Sequence, residues 1–201
     1  MTYLNDLELY FQPSAFATGS DTPNASISLT YIGDSAAPRS RPLTTSKRFF
    51  LQLIRAHLHC IPQSQTRVKD LLELIKSLWA IACAIGEGVS LLSLNHITEE
   101  SILSDERMAV SCNLLLPSLQ TKIKVTFDIG VNLGKGAVEC EVGYRAELVY
   151  GEKFKTEKMG AFLENFCGKN VKEEKDMNVW ADAVLDLAAR LKATGRKGER
   201  V

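Results

Sequence analysis

TRVKDLLELIKSLWAIACAIGEGVSLL, Thr66 to Leu92, is the stretch on which the fold of the whole chain turns. Its apolar residues Val68, Leu71, Leu72, Ile75, Leu78, Trp79, Ala82, Ile85, Val89 and Leu92 recur in steps of three and four. That spacing lines one face of an α-helix. At 1.5 Å per residue the helix would run about 40 Å, the width of a small domain. Thr66 is placed to cap its start, and Gly86 and Gly88 are expected to weaken its last turns. A helix this long needs partners, and the chain on either side of it supplies two sets of them.

Upstream, Leu7–Phe16 and Ser26–Ile32 read as strands. In the second, Ile27, Leu29 and Tyr31 alternate with Ser28 and Thr30, the period of a half-buried strand. The polar stretches 17–24 and 33–42 carry Gly or Pro and read as loops. Thr45 or Ser46 can cap a helix reaching Ile61, with Phe50, Leu53, Ile54, His57, Leu58 and Ile61 on one stripe and Pro62 as its stop. The opening inside an apparent strand suggests a fragment of something longer.

Downstream, Thr98–Glu106 is short and acidic. Three alternating runs come next. Met108, Val110, Cys112, Leu114 and Leu116 share one face. Ile123, Val125, Phe127, Ile129 and Val131 share the next, and Val138, Cys140, Val142, Tyr144, Ala146 and Leu148 the third. One-sided alternation with short turns predicts an antiparallel meander with one buried face. A turn at Ser118-Leu119 sets Leu114 opposite Ile123 and Cys112 opposite Val125. A turn at Leu133-Gly134 sets Phe127 opposite Cys140, or, slipped by two, Lys124 opposite Glu141. Charge pairing favours the slipped register. Two helices close the chain. One covers Glu157–Phe166 and is ended by Gly168; the other carries Trp180, Val184, Leu187 and Leu191, starts at Asp176 or Asn178 and ends near Gly195.

Composition narrows the function. Apolar residues make up 45% of the 201, enough for a core, while 24 basic and 24 acidic side chains cancel. A neutral chain lacks the basic excess of a dedicated nucleic-acid binder. Five cysteines in wide spacing, with no CxxC, fit neither a disulfide framework nor a zinc site, and point to a reducing compartment. No apolar run approaches the roughly 18 residues of a membrane span.

The clusters that draw attention do not assemble chemistry. His57, His59 and Cys60 lie together in sequence, but His57 and His59 project to opposite sides of a helix, and zinc needs three or four ligands. Glu99, Glu100, Asp105 and Glu106 read as a solvated face. Cys112 and Cys140 fall on inward strand faces, as small buried hydrophobes. The glycine pairs Gly86/Gly88 and Gly134/Gly136 lack the rest of a phosphate loop.

Beyond these patterns, RPLTTSKRFFLQLIRAHLHCIPQSQTRVKDLLELI (Arg41–Ile75), SDERMAVSCNLLLP (Ser104–Pro117), and VYGEKF with KMGAFL (Val149–Leu163) resemble the C-terminal region of the fungal blinkin-type outer-kinetochore scaffold of the KMN network. The opening LELYFQPSAF and SISLTYIG are similar to it as well. The resemblance implies tandem RWD domains after a coiled coil. It also implies a non-enzymatic docking role in the nucleus, at the kinetochore. There the scaffold would bind the MIND complex through a C-terminal segment of its Nsl-type subunit, supporting kinetochore–microtubule attachment and spindle checkpoint signalling. Other KMN-network subunits would be met through regions outside this chain. RWD domains share a fold with ubiquitin-conjugating enzymes, but the His-Pro-Asn stretch of those enzymes is absent here, as is the YPxxxP turn of many RWD domains.

The expectation is therefore an α+β chain of two RWD-like domains, antiparallel meander sheets with helices packed on one face. Residues 1–63 form the first, 64–195 the second and 196–201 a flexible tail, with the two domains packed firmly together. No catalytic, metal or cofactor residue is assigned. Thr30, Tyr31, Ile32, Phe49 and Arg55 are candidates for partner contact, although an ordinary core place is the more frequent use of residues such as Tyr31 and Phe49. The rival readings are a catalytic relative of ubiquitin-conjugating enzymes, and microtubule or DNA contact through the basic tail Arg196–Val201.

Overall fold

A computed structural model describes residues 6–10, 27–32, 43–60, 67–133, 138–151, 154–170 and 179–197. They form β1 (Leu7–Tyr10), β2 (Ser28–Tyr31), α1 (Thr45–Cys60), α2 (Val68–Ser93), β3 (Ile97–Ser104), β4 (Arg107–Leu116), β5 (Thr121–Leu133), β6 (Val138–Tyr150), α3 (Thr156–Asn170) and α4 (Val179–Lys197). The class is α+β, with antiparallel sheets and helices. The chain falls into two compact units, Met1–Cys83 with Val131–Cys140, and Ala84–Gly130 with Glu141–Val201. The division lies within α2, whereas the sequence pattern places a boundary at residue 63. Loops guide a boundary drawn from pattern; burial guides one drawn from packing.

In the first unit β1 and β2 pair antiparallel, Leu7 with Tyr31 and Leu9 with Leu29. Their inward side chains join the apolar faces of α1 and of the first half of α2. Phe50, Ile54, Leu58, Leu78 and Trp79 are completely buried. Each such side chain contributes about 1.5–3 kcal/mol over an exposed one. The Trp79 ring lies 6.1 Å from that of Tyr31, and the Lys47 ammonium sits 5.4 Å above it. The cap of α1 is Thr44, not Thr45 or Ser46. Its Oγ1 accepts from the Lys47 N–H at 3.3 Å, and its carbonyl accepts from the Arg48 N–H at 2.9 Å. The expected cap Thr66 and stop Pro62 lie outside the described residues.

The second unit is built on a meander in the order β3-β4-β5-β6. β4 and β5 pair as expected, Leu114 with Ile123 and Cys112 with Val125, around a tight turn at Pro117–Leu119. The β5–β6 register is neither of the two expected. A methyl on Gly130 would lie 3.9 Å from Glu141 Cβ, and one on Gly143 3.7 Å from Asp128 Cβ. Gly130 thus faces Glu141 and Asp128 faces Gly143. The Lys124–Glu141 pairing is lost because one exposed charge pair is worth only a few tenths of a kcal/mol. At the end of β6, Gly151 takes φ +103°, and any Cβ there would meet Thr121 Oγ1 at 2.6 Å. Only glycine fits.

Three further elements depart from expectation. The acidic stretch after α2 is a strand, β3, at the edge of the sheet, with Glu100 opposite Val110. Inward-pointing charge is a common way to blunt such an edge. Next, α3 runs through Gly168 to Asn170, and α4 through Gly195 to Lys197. A glycine costs a helix about 1 kcal/mol, too little to end one that tertiary packing holds. Finally, α2 is long and apolar enough, by length and composition, to cross a membrane, which corrects the reading that no such run exists. Its Leu71, Ile75, Leu78, Trp79, Ala82, Ile85 and Leu92 are buried in the protein, and Lys69, Asp70, Glu73, Lys76 and Glu87 lie on its other sides.

Candidate functional site

The five candidate contact residues all come from β2, its end, and α1. Period two sends Leu29 and Tyr31 inward and leaves Ser28 and Thr30 exposed. Tyr31 is 5% exposed and Phe49 2%, whereas Ile32 just beyond the strand is 45% exposed. Phe49 packs edge-on against Phe50 with centroids 5.2 Å apart. Tyr31 and Phe49 are therefore core residues, and their aromatic character serves packing. Thr30, Ile32 and Arg55 are at the surface.

Arg55 ties the two elements together. Its Nε–H donates to the Leu29 carbonyl at 2.9 Å. A guanidinium on a backbone acceptor is a charge-assisted bond, stronger than a neutral one. It pins α1 to β2 while leaving the arginine exposed. Asp6 and Lys47 form a second tie, with Nζ to Oδ2 at 3.3 Å.

The register brings two residues to this surface that the sequence candidates do not include. Glu8 pairs with Thr30 and Tyr10 with Ser28, so all four project from the outward face of the hairpin. Tyr10 is 54% exposed. A hydrogen bond to Glu8, with smaller help from desolvation and the carboxylate's charge, pushes its hydroxyl above the usual tyrosine range. The alternation of Leu7 and Leu9 with Glu8 and Tyr10 is the signal that could have found them. Four residues of alternation mark a strand, but they do not say which strand it will lie beside.

Among the described residues, no three of His, Cys, Asp and Glu converge as a metal site. His57 is half-buried on α1 and His59 is exposed. Burial lowers the His57 pKa. His96 is lowered as well, first by burial and then by the charge of Lys192. The thiols of Cys112 and Cys167 are pushed by burial up to about 12 and about 11. Such thiols stay protonated at neutral pH, the opposite of what a nucleophile needs. Glu99 and the turn residues Asp105 and Glu106 are exposed, and Glu100 is half-buried. Of the basic tail, Arg196 and Lys197 belong to α4; 198–201 lie outside the described residues.

Comparison with known families gives one finding of weight. Residues 1–86 match the family described as the Knl1 RWD C-terminal domain. That span holds β1, β2, α1 and most of α2, and so contains every candidate contact residue. No curated protein matches the chain.

Proposed function

We propose that this chain, whose residues 1–86 match the Knl1 RWD C-terminal domain, is a non-catalytic module of a kinetochore scaffold that works through protein–protein interaction and docks its scaffold onto the MIND complex. The partner segment in this reading is the C-terminal part of the Nsl-type subunit. The docking surface is the outward face of the β1–β2 hairpin with its flanking Ile32 and Arg55.

The observation that carries the proposal is the hairpin itself. It is a two-stranded sheet within the matched span, whose outward residues Glu8, Tyr10, Ser28 and Thr30 are exposed. An extended peptide that adds a strand along an edge of such a sheet would lay its alternate side chains beside these outward residues. Exposed Tyr and Arg are the residue types on which interfaces most often depend. Nuclear localisation, and support of microtubule attachment and checkpoint signalling, belong to the same proposal.

The test is calorimetric titration of the whole chain with peptides from the Nsl-type subunit. Saturable binding in the micromolar range or tighter is expected. Tyr10→Ala and Ile32→Asp should each weaken it by about tenfold, equivalent to about 1.4 kcal/mol, with the fold intact by circular dichroism. No heat of binding at high micromolar peptide, or full affinity in both variants, sinks the proposal.

A further inference from the structure

In the second unit, the first half of α3 and the second half of α4 enclose a groove of about 340 Å³. That size is at the lower end of the roughly 300–1,000 Å³ typical of ligand sites. Its floor is apolar, with Met159, Phe162, Leu187 and Leu191. Its charged residues are Lys155, Lys158 and Arg190, with no acid among the described lining residues. In a chain whose charges cancel, three cations and no acid among the described lining residues is a local departure.

The three cations differ in what holds them. Arg190 donates from Nε to Asp186 at 2.9 Å, and its guanidinium lies 5.0 Å from the centre of the Phe162 ring. It is positioned, and Asp186 already balances its charge. Lys155 and Lys158 are exposed and have no salt bridge among the described residues. Two ammonium groups with no salt bridge among the described residues, beside an apolar floor, suit a ligand that brings carboxylates and apolar side chains together.

We propose that this α3–α4 groove is a second docking site, and that its occupant is an acidic amphipathic helix of a partner protein. Apolar residues at helical spacing fill the floor between α3 and α4, while flanking carboxylates reach Lys155 and Lys158. The site lies in a different unit from the hairpin surface. Either can therefore fail without the other.

The experiment uses the whole chain and a fluorescein-labelled synthetic peptide with leucines at i, i+3, i+4 and i+7 and glutamates elsewhere. Fluorescence anisotropy should show saturable binding that weakens as salt rises, as an exposed charge contact must. Lys155→Glu with Lys158→Glu should weaken it about tenfold, because two exposed pairs are turned from attraction to repulsion. Ala193→Trp, at an exposed lining position, should block the groove without disturbing the core. A matching peptide with lysines for glutamates should not bind. Absence of saturable binding, equal binding of the lysine peptide, or indifference to both variants overturns the proposal. So does competition by vesicles of anionic lipid that bind the native chain but not the double-lysine variant, which makes the occupant a membrane surface. A dimer dispersed by Ala193→Trp in sedimentation also overturns it, since the occupant is then a second copy.

Discussion

Gly88 shows at the scale of one residue how meaning depends on neighbours. Read in sequence, it weakens a helix. In the structure a Cβ at Gly88 would stand 2.5 Å from Cζ2 of Trp180, so the missing side chain makes room for the indole. Trp180 in turn packs against Phe127 at 5.3 Å between centroids. These two accounts of Gly88 predict opposite signs for Gly88→Ala. Helix propensity alone predicts a gain of up to about 1 kcal/mol. Overpacking against a rigid indole predicts a net loss of about 1–3 kcal/mol, which we expect. Urea unfolding decides: a midpoint that rises in the variant refutes the packing account. Tyr31 and Phe49 teach the same lesson, since an aromatic side chain suits an interface and a core alike, and only burial separates them.

At the scale of elements, patterns with a period were legible and terminations were not. The inward faces of β4 and β5 and the pairing of the two strands came from alternation and a short turn. The pairing of β5 with β6 did not, because the available charge pairs were too weak to choose among registers. β3 escapes a pattern search because an edge strand need not bury an apolar face, and its half-buried residues Thr98 and Glu100 are polar. Its position has a consequence for dynamics. An edge strand with mostly exposed side chains should open locally before the strands inside the sheet. In native-state hydrogen exchange, amides of β3 are expected to lose protection well before those of β4 and β5; equal protection would contradict the edge assignment. Helix starts are equally hard to read, since Thr44, Thr45 and Ser46 all qualify by residue type. The bond from the Lys47 N–H identifies Thr44. Thr44→Ala should cost about 1 kcal/mol in thermal or urea unfolding. An unchanged midpoint would mean that the cap lies elsewhere.

At the scale of the whole molecule, protonation links the folded state to pH. Burial lowers His57 and His96, which sit one in each unit. The unfolded chain therefore takes up protons first as pH falls. Stability is complete above the ordinary histidine range near 6.5 and is lost as pH drops through the lower, folded values. We expect the urea midpoint to fall between about pH 7 and pH 5, and His57→Gln with His96→Gln to flatten that slope. A native slope equal to that of the double variant would remove the histidines as its source.

Some properties of this protein needed nothing beyond the order of its residues. Composition set a neutral chain with a core; periodicity set the helices, the strands other than β3, and their inward faces. Long shared runs pointed to the scaffold family, and residues 1–86 match the Knl1 RWD C-terminal domain. These properties are local, or are averages over many positions, so no single neighbour can reverse them. Folding in three dimensions decided the rest: that Tyr31 and Phe49 are core, that Glu8 and Tyr10 stand beside Thr30 and Ser28, that Gly88 seats Trp180, and that cations line a groove between α3 and α4. Each of those depends on two segments meeting that are far apart in the chain or differently turned. Such a meeting is fixed by many small packing energies acting together, which no short stretch of residues contains.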